Sequence, residues 1–124
     1  IIQTQQGALK SMAKELSRPI ELHVKDGIFY IKQKDIVRLE ASRSYTEFYL
    51  DGGIRHVASK PIGDFETLLD PNLFYRCHKS HIVNLQKVQK FVSQNGLFAL
   101  MADGSMPDVS QRNKEVFLER LKNC

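Results

Sequence analysis

The sequence has 124 residues, enough for one domain of ordinary size, and its hydrophobic fraction of 42% suffices for a packed core, which excludes a disordered chain. Its 18 Lys and Arg residues against 14 Asp and Glu residues give a formal net charge of +4, which permits a polyanionic partner such as DNA without requiring one. The two cysteines, Cys77 and Cys124, exclude the disulfide framework of a small secreted domain and favour a reduced, cytoplasmic setting.

Residues 1–17 are predicted to form a linker helix that joins an absent upstream domain to a second unit, residues 18–124. An apolar stripe recurs there at helical spacing, on Leu9, Met12, Ala13 and Leu16. The same stripe also fits a short helix lying on the domain, or a dimer seam. The chain starts without Met and without a signal-peptide pattern, so we expect a piece of a longer protein. We expect no membrane span, because no run approaches roughly 20 apolar residues.

From residue 20 the pattern changes to short strands. "IELHV" and "IFYIK" flank Asp26-Gly27, a signal for a two-residue hairpin turn. "DIVRLEAS" follows as a strand, and "YTEFYL" alternates, which places one set of side chains on a common face: Thr46, Phe48 and Leu50. A glycine turn at 51–53 then leads into "IRHVAS".

The second half of the chain repeats these signals. "VQKFV" and "LFALM" flank Asn95-Gly96, which predicts another two-residue hairpin, and Asp103-Gly104 marks one more turn. The resulting fold class is a mainly β domain of eight to ten short strands with two accessory helices.

Two segments carry the helical pattern instead. In "PIGDFETLL", Pro61 suits the first helical position, and the predicted apolar face consists of Ile62, Phe65, Leu68 and Leu69. In "SQRNKEVFLERLKN", Ser110 is the predicted N-cap, and the apolar side consists of Phe117, Leu118 and Leu121.

The stretch "RCHKSHIVN" at 76–84 concentrates chemically active side chains, and a metal site or a Cys–His nucleophile are two interpretations of it. Cys77, His78 and His81 are ligand-type residues, but zinc needs at least three protein ligands. Adjacent residues on a strand point to opposite faces, so Cys77 and His78 could hardly share an ion or form a nucleophile–base pair. We therefore expect no metal, no cofactor and no catalysis.

A third interpretation of this stretch is a polyanion site. Arg76 and Lys79 bracket His78, and Ser80 adds a hydroxyl; all can donate to phosphate oxygens. Further cationic and hydrogen-bonding residues fall at predicted element ends, where loops carry binding groups on a rigid scaffold. These are Arg43, Ser44 and Tyr45, then Ser59 and Lys60, then Ser110, Gln111 and Arg112.

The order of these segments resembles the LytTR family, the DNA-binding output domains of bacterial response regulators. The resemblance covers about residues 20–122, and its most specific part is the pattern F-x-R-x-H-x-S-x-x-V-N, carried by Phe74, Arg76, His78, Ser80, Val83 and Asn84. A family run before the last helix appears as Pro107, Val109, Ser110 and Arg112, with Asp108 and Gln111 filling the gaps.

The resemblance implies an elongated stack of small antiparallel sheets with a short central helix and a C-terminal helix. It also implies that loops from strand ends enter successive major grooves of double-stranded DNA. The residues it assigns to DNA contact are Arg43, Ser44, Tyr45, Lys60, His78, Lys79, Ser80, Ser110, Gln111 and Arg112. Among them Arg112 is the base reader, Lys79 and Lys60 contact the backbone, and Tyr45 stands where relatives carry a polar residue that reaches a base.

The resemblance gives other residues a structural role. His78 is expected to hold its loop by hydrogen bonds while Lys79 points outward, Asn84 is expected to fix a turn, and Cys77 is expected to be a packing residue. The implied function is transcriptional regulation in a two-component phosphorelay, with an upstream receiver domain and a dimer on paired DNA repeats. Two alternatives stay open: a LytTR domain joined to a membrane or other sensor, and a β-rich module that binds an acidic protein surface.

Overall fold

A computed structural model describes residues 18–124, and the predicted linker helix at 1–17 lies outside the described residues. Within residues 18–124 the chain forms nine strands and two short α-helices. The strands are β1 (Ile20–Val24), β2 (Gly27–Ile31), β3 (Ile36–Ser42), β4 (Tyr45–Leu50), β5 (Arg55–Ala58), β6 (Phe74–His78), β7 (His81–Asn84), β8 (Val88–Val92) and β9 (Phe98–Met101). The helices are α1 (Ile62–Glu66) and α2 (Lys114–Lys122). The prediction of a mainly β domain with two helices is confirmed.

All strand pairs of these sheets are antiparallel. Hairpins β1–β2 and β8–β9 are separate two-stranded sheets, and they flank a five-stranded sheet of order β5-β4-β3-β7-β6. The two halves of this central sheet join where β3 pairs with β7, with Leu39 opposite Ile82. Within residues 18–124, no helix is both long and apolar enough to cross a membrane.

The central sheet has an apolar core on each face. On β7, Ile82 belongs to the core beneath β1–β2 and α1, whereas its neighbour Val83 belongs to the core beneath β8–β9 and α2. Phe48 packs edge-on against Phe65 in the first core, and Phe117 is fully buried in the second. Strands buried on both faces read as continuous apolar runs, which explains why "IVRL" and "HIVN" show little polar alternation.

Two predicted turns lie elsewhere than the sequence signals indicated. Val24 pairs with Gly27, so the β1–β2 turn is Lys25-Asp26 rather than Asp26-Gly27. Val92 pairs with Phe98, so the β8–β9 connection spans 93–97 and is not a two-residue hairpin at Asn95-Gly96. The carbonyl of Leu97 accepts a 2.9 Å bond from Val109, which draws that end of the loop toward the segment before α2.

The helix starts also differ from the predictions. Pro61 is the N-cap of α1, with extended backbone, and the helix begins at Ile62. Because α1 ends at Glu66, Leu68 lies beyond it and is 52% exposed, whereas Leu69 is buried. Ser110 precedes a single 3₁₀ turn, Gln111–Asn113, and its side chain makes no cap bond.

Candidate nucleic-acid interface

Two tight turns lie side by side at one end of the central sheet. Arg43-Ser44 connects β3 to β4, since Ser42 pairs with Tyr45. Lys79-Ser80 connects β6 to β7, since His78 pairs with His81. The Ala41 amide donates a 2.8 Å bond to the carbonyl of Ser80, which ties the two turns together across the β3–β7 seam.

The connection after β5 reaches the same end of the sheet. Thr46, at the start of β4, pairs with Ala58 at the end of β5. Its hydroxyl donates a 2.7 Å bond to the carbonyl of Lys60. Thr46 itself is completely buried, so this bond fixes the Lys60 backbone while the Lys60 side chain remains exposed.

The segment before α2 completes the row on the far side of β6. The Ser110 amide donates a 2.9 Å bond to the carbonyl of Cys77, and the Asn113 side chain donates to the same carbonyl at 3.3 Å. Gln111 and Arg112 lie between these two anchors, and both are exposed. The structure therefore brings all four predicted groups to one end of the domain.

These groups form a basic row that follows the strand order, from Lys60 through the Arg43-Ser44 and Lys79-Ser80 turns to Arg112. Neighbouring strands lie about 4.8 Å apart, so the two turns are about 10 Å apart and the whole row spans about 24 Å. Exposed side chains dominate it: Arg43, Ser44, Tyr45, Lys60, Lys79, Gln111 and Arg112. His78, Ser80 and Ser110 are partly buried: Ser80 belongs to the Lys79-Ser80 turn, His78 precedes that turn, and Ser110 precedes the 3₁₀ turn that carries Arg112.

The Lys79-Ser80 turn is braced from two sides. The Nδ1 atom of His78 accepts a 3.1 Å bond from the Ser80 amide. A terminal nitrogen of Arg76 donates a 2.6 Å bond to the carbonyl of Lys79, and the other pairs with Glu66 of α1 at 2.8 Å. The prediction that the His78 ring holds the loop is confirmed, and Lys79 points outward from a fixed backbone.

Arg43 is held in an unusual conformation. Its φ is +59°, in the left-handed region that L-residues with a side chain seldom adopt. Ser44, which follows it, has an ordinary negative φ, so the tight turn depends on this one residue. The β3–β4 pairing and the bond from Ala41 to Ser80 hold the turn on both sides, so the arginine side chain projects from a constrained backbone.

His81 lies buried beneath the row of turns. Burial lowers its pKa, an effect that the Glu40 carboxylate 3.8 Å away opposes and the Arg38 guanidinium reinforces. Arg38 itself pairs with Glu40 at 2.7 Å, so the carboxylate is largely compensated. Behind the turns, the His81 imidazole is therefore neutral at pH 7, and Arg38 and Glu40 form an ion pair with each other.

Burial takes Cys77 out of the metal and nucleophile interpretations. Its side chain is fully buried in the core beneath α2, and burial raises the thiol pKa to about 12. A protonated thiol is neither a nucleophile nor a good metal ligand at neutral pH. Among residues 18–124, no three His, Cys, Asp or Glu side chains form a metal-ligand group. Cys77 is a packing residue, as predicted.

Asn84 fixes a turn, as predicted. Its side-chain amide donates to the carbonyl of Ile36 at 2.9 Å, and its oxygen accepts from the Gln86 amide at 3.0 Å. The first bond crosses from β7 to the start of β3, and the second caps the 3₁₀ turn that follows β7. Asn84 thus aligns the end of the central sheet opposite the row of turns.

Residues 26–122 match the LytTr DNA-binding domain family. The chain belongs to the LytTR family. This is a family of DNA-binding domains, and the basic row lies within the matched part of this LytTR domain. The match ends at residue 122, so it includes α2.

Two curated relatives are similar to part of this LytTR domain. They are the heme-containing CO-sensing transcriptional regulators RcoM 1 and RcoM 2 of Paraburkholderia xenovorans (strain LB400). Each is 30% identical over 84 residues, which is 68% of this chain and 31% of the relative. The chain thus spans about a third of the length of these regulators, and the family function is consistent with transcriptional regulation.

A solved structure shows the same fold. It is the LytTr DNA-binding domain of a putative methyl-accepting/DNA response regulator from Bacillus cereus, with a TM-score of 0.71. The sequences are 24% identical, and the match covers 84% of this chain and 96% of that one.

Sequence reasoning missed the residues that support the LytTR loops from behind. The sequence predicts only that Thr46 shares a face with Phe48 and Leu50 and that Arg76 can donate to phosphate. In the structure both hold loop carbonyls. For Arg76, an irregularity in the β6–β7 pairing between Tyr75 and His78 breaks the strand alternation, so no local period predicts where its side chain lies. For Thr46 the partner is remote in sequence, and no local pattern indicates it.

Proposed function

We propose that this domain binds double-stranded DNA sequence-specifically by inserting the loops of its basic row into successive major grooves. One observation carries the proposal: Arg43, Lys60, Lys79 and Arg112 share one end of the central sheet. The row of about 24 Å, extended by long side chains at both ends, approaches the roughly 34 Å of one helical turn.

The residues divide into backbone contacts and base contacts. Lys60 and Lys79 are cations on fixed backbones, suited to phosphate oxygens, and Ser80 adds a hydroxyl group beside them. The Ser110 hydroxyl, which the sequence also assigns to DNA contact, is buried. Arg112 lies exposed on a 3₁₀ turn held at both ends by the Cys77 carbonyl. A guanidinium so placed can bind O6 and N7 of guanine together, at about 1–3 kcal/mol of discrimination.

The test begins with selection of bound duplexes from a random pool, followed by titration of selected and scrambled duplexes. Arg112→Ala is expected to narrow the affinity ratio between the two duplexes by about 10-fold, while Lys79→Ala weakens binding to both equally. An unchanged ratio for Arg112→Ala contradicts the assignment of base reading. A wild-type domain that shows no salt-dependent duplex binding favours the protein-interaction module instead.

The regulatory setting is a second part of the proposal. We propose that the domain is the output unit of a bacterial cytoplasmic response regulator, whose upstream receiver dimerises on phosphorylation and places two domains on paired repeats. Half-sites one helical turn apart, about 34–36 Å, would raise the effective concentration of the second domain. Phosphorylation of the full-length protein is then expected to tighten binding to a paired site but not to a single site.

A different sensor is the alternative to the receiver. Two relatives that match this domain are heme-containing CO-sensing transcriptional regulators, which supports a sensor of another kind in the full-length protein. A full-length chain that ignores a phosphodonor but changes its DNA affinity with another signal supports this alternative.

A further inference from the structure

A basic groove runs from the Lys79-Ser80 turn along the outer edge of β6 beside α2. The cationic side chains that line it are Arg76, Lys79, Arg112 and Arg120. Glu66 is the single carboxylate among its lining residues, and Arg76 pairs with it at 2.8 Å. The groove therefore keeps a net positive charge, of which Lys79 and Arg112 belong to the proposed interface and Arg120 does not.

Helix α2 leads away from the loops. Its start is anchored near the loop end of β6, where Asn113 donates to the Cys77 carbonyl. Farther along the helix, Phe117 stacks on Tyr75 with ring centroids 5.9 Å apart, and Arg120 donates to the carbonyl of Pro71. Because Pro71 and Tyr75 come before Cys77 along the chain, α2 runs antiparallel to β6, and Arg120 lies set back from the DNA-facing end.

The setback of Arg120 is somewhat larger than the depth of the major groove. Arg120 is eight positions after Arg112, two of them along the 3₁₀ turn at about 2.0 Å each and six along α2 at about 1.5 Å each, which gives roughly 13 Å. The major groove is about 8.5 Å deep. When the Arg112 side chain reaches the floor of the groove, the Arg120 guanidinium therefore lies at the height of the phosphates on the groove rim.

The Arg120 side chain is also preorganised. Its guanidinium donates to the Pro71 carbonyl and lies 5.6 Å from the centre of the Tyr75 ring. These contacts use only part of its five donors, and the planar fork matches two phosphate oxygens. The acids on the same helix, Glu115 and Glu119, do not line the groove.

We propose that Arg120 binds a backbone phosphate on the rim of the major groove that Arg112 enters, which extends the interface along α2. This inference rests on the proposed function. The ligand is a phosphate of the bound duplex, and the contact adds affinity for every sequence alike. It also fixes the angle at which β6 meets the groove wall.

The experiment measures the salt dependence of duplex binding for wild type, R120Q, R120K and K122Q. Each lost phosphate contact lowers the magnitude of the log–log salt slope by about 0.9. When salt rises from 50 to 200 mM, the fold-loss of duplex affinity should therefore be about 3.5 times smaller for R120Q than for wild type. R120K keeps the charge and is expected to keep the slope, although it loses the bond geometry at Pro71. Lys122 is exposed on the same helix and outside the groove, so K122Q is the matched control.

A duplex with neutral methylphosphonate linkages placed one at a time along the rim locates the contact. The proposal predicts one linkage at which wild type and R120Q bind equally. Equal salt slopes for wild type and R120Q overturn the proposal while leaving DNA binding intact, and so does a slope that falls equally in R120Q and R120K. A wild-type domain without salt-dependent binding overturns both proposals together.

Discussion

The guanidinium of Arg76 donates a 2.6 Å hydrogen bond to the backbone carbonyl of Lys79 and pairs through its other terminal nitrogen with Glu66 at 2.8 Å. This one side chain joins α1 to the turn that presents Lys79. A turn fixed in this way presents its side chains to a ligand with little loss of conformational entropy on binding.

Replacement of Arg76 by Gln is expected to loosen the Lys79-Ser80 turn, because the shorter amide cannot reach both partners. The Arg76 side chain is 31% exposed, so we expect a loss of only about 1 kcal/mol in stability. Duplex affinity should fall about 5-fold for all sequences, without a change in base preference. Hydrogen exchange at the Ser80 amide gives the direct measurement, since that amide is held by His78.

Glu66→Gln is the control for the Arg76 prediction. It removes the ion pair but leaves the bond from Arg76 to the Lys79 carbonyl. Protection of the Ser80 amide should therefore remain near that of wild type in Glu66→Gln and drop in Arg76→Gln. Equal protection in the two variants would show that the carbonyl bond does not hold the turn.

Thr46→Val tests the support of Lys60. Valine has nearly the shape of threonine, so the substitution removes the 2.7 Å bond to the Lys60 carbonyl with little change in packing. The free energy of unfolding should fall by about 1–3 kcal/mol, the range for a buried hydrogen bond with one partner left unpaired. Urea denaturation measures the loss, and a duplex titration reports the effect on the Lys60 loop.

Thr67 offers a matched control for Thr46. Its hydroxyl also donates to a backbone carbonyl, that of Asp64, at 3.2 Å, but the residue is exposed. Thr67→Val should change the free energy of unfolding by less than about 0.5 kcal/mol and leave DNA affinity unaltered. A loss as large as that of Thr46→Val would show that burial does not determine how much stability is lost with the hydrogen bond.

The sequence predicts the strands well where burial follows a local period. Thr46, Phe48 and Leu50 alternate and are all buried, as the predicted period of two requires. The hairpin ends were less predictable. Asn95 and Gly96 do adopt positive φ, yet the bond between Leu97 and Val109, remote in sequence, lengthens the loop.

The sequence predicts which residues belong to the interface but not how they are arranged in space. Local patterns indicate that Arg43, Lys79 and Arg112 terminate elements, whereas their common end depends on the pairing of β3 with β7 and on the Cys77 carbonyl. The orientation of Arg120 depends on Pro71, which is 49 residues away in the chain. Such contacts form only when the sheets have assembled, so no local signal encodes them.

Asn84→Ala is expected to be the most destabilising of these substitutions. Asn84 is 1% exposed and makes two hydrogen bonds, to Ile36 and Gln86, that no water can replace without opening the sheet. We expect a loss of about 2–4 kcal/mol in the free energy of unfolding, measured by urea denaturation. Gln86→Ala, on an exposed side chain, should lose less than about 0.5 kcal/mol; similar losses would contradict the role of Asn84.

Acidification should destabilise the fold through His81. Burial lowers the pKa of this imidazole below its ordinary value of 6.5, with Arg38 and His78 adding to the shift and Glu40 and Asp108 opposing it. Between the two values the unfolded chain binds a proton that the folded chain does not. Stability is therefore complete above about pH 6.5 and is lost as the pH falls toward the folded-state pKa, by at most about 1.4 kcal/mol per pH unit.

Urea denaturation between pH 7.5 and 5 measures this dependence. His81→Leu removes the titrating group from a buried position, so its stability should vary less with pH than that of wild type, even where it is lower overall. His23→Gln, at an exposed position, should retain the wild-type slope. Parallel pH profiles for wild type and His81→Leu would show that another group carries the acid sensitivity.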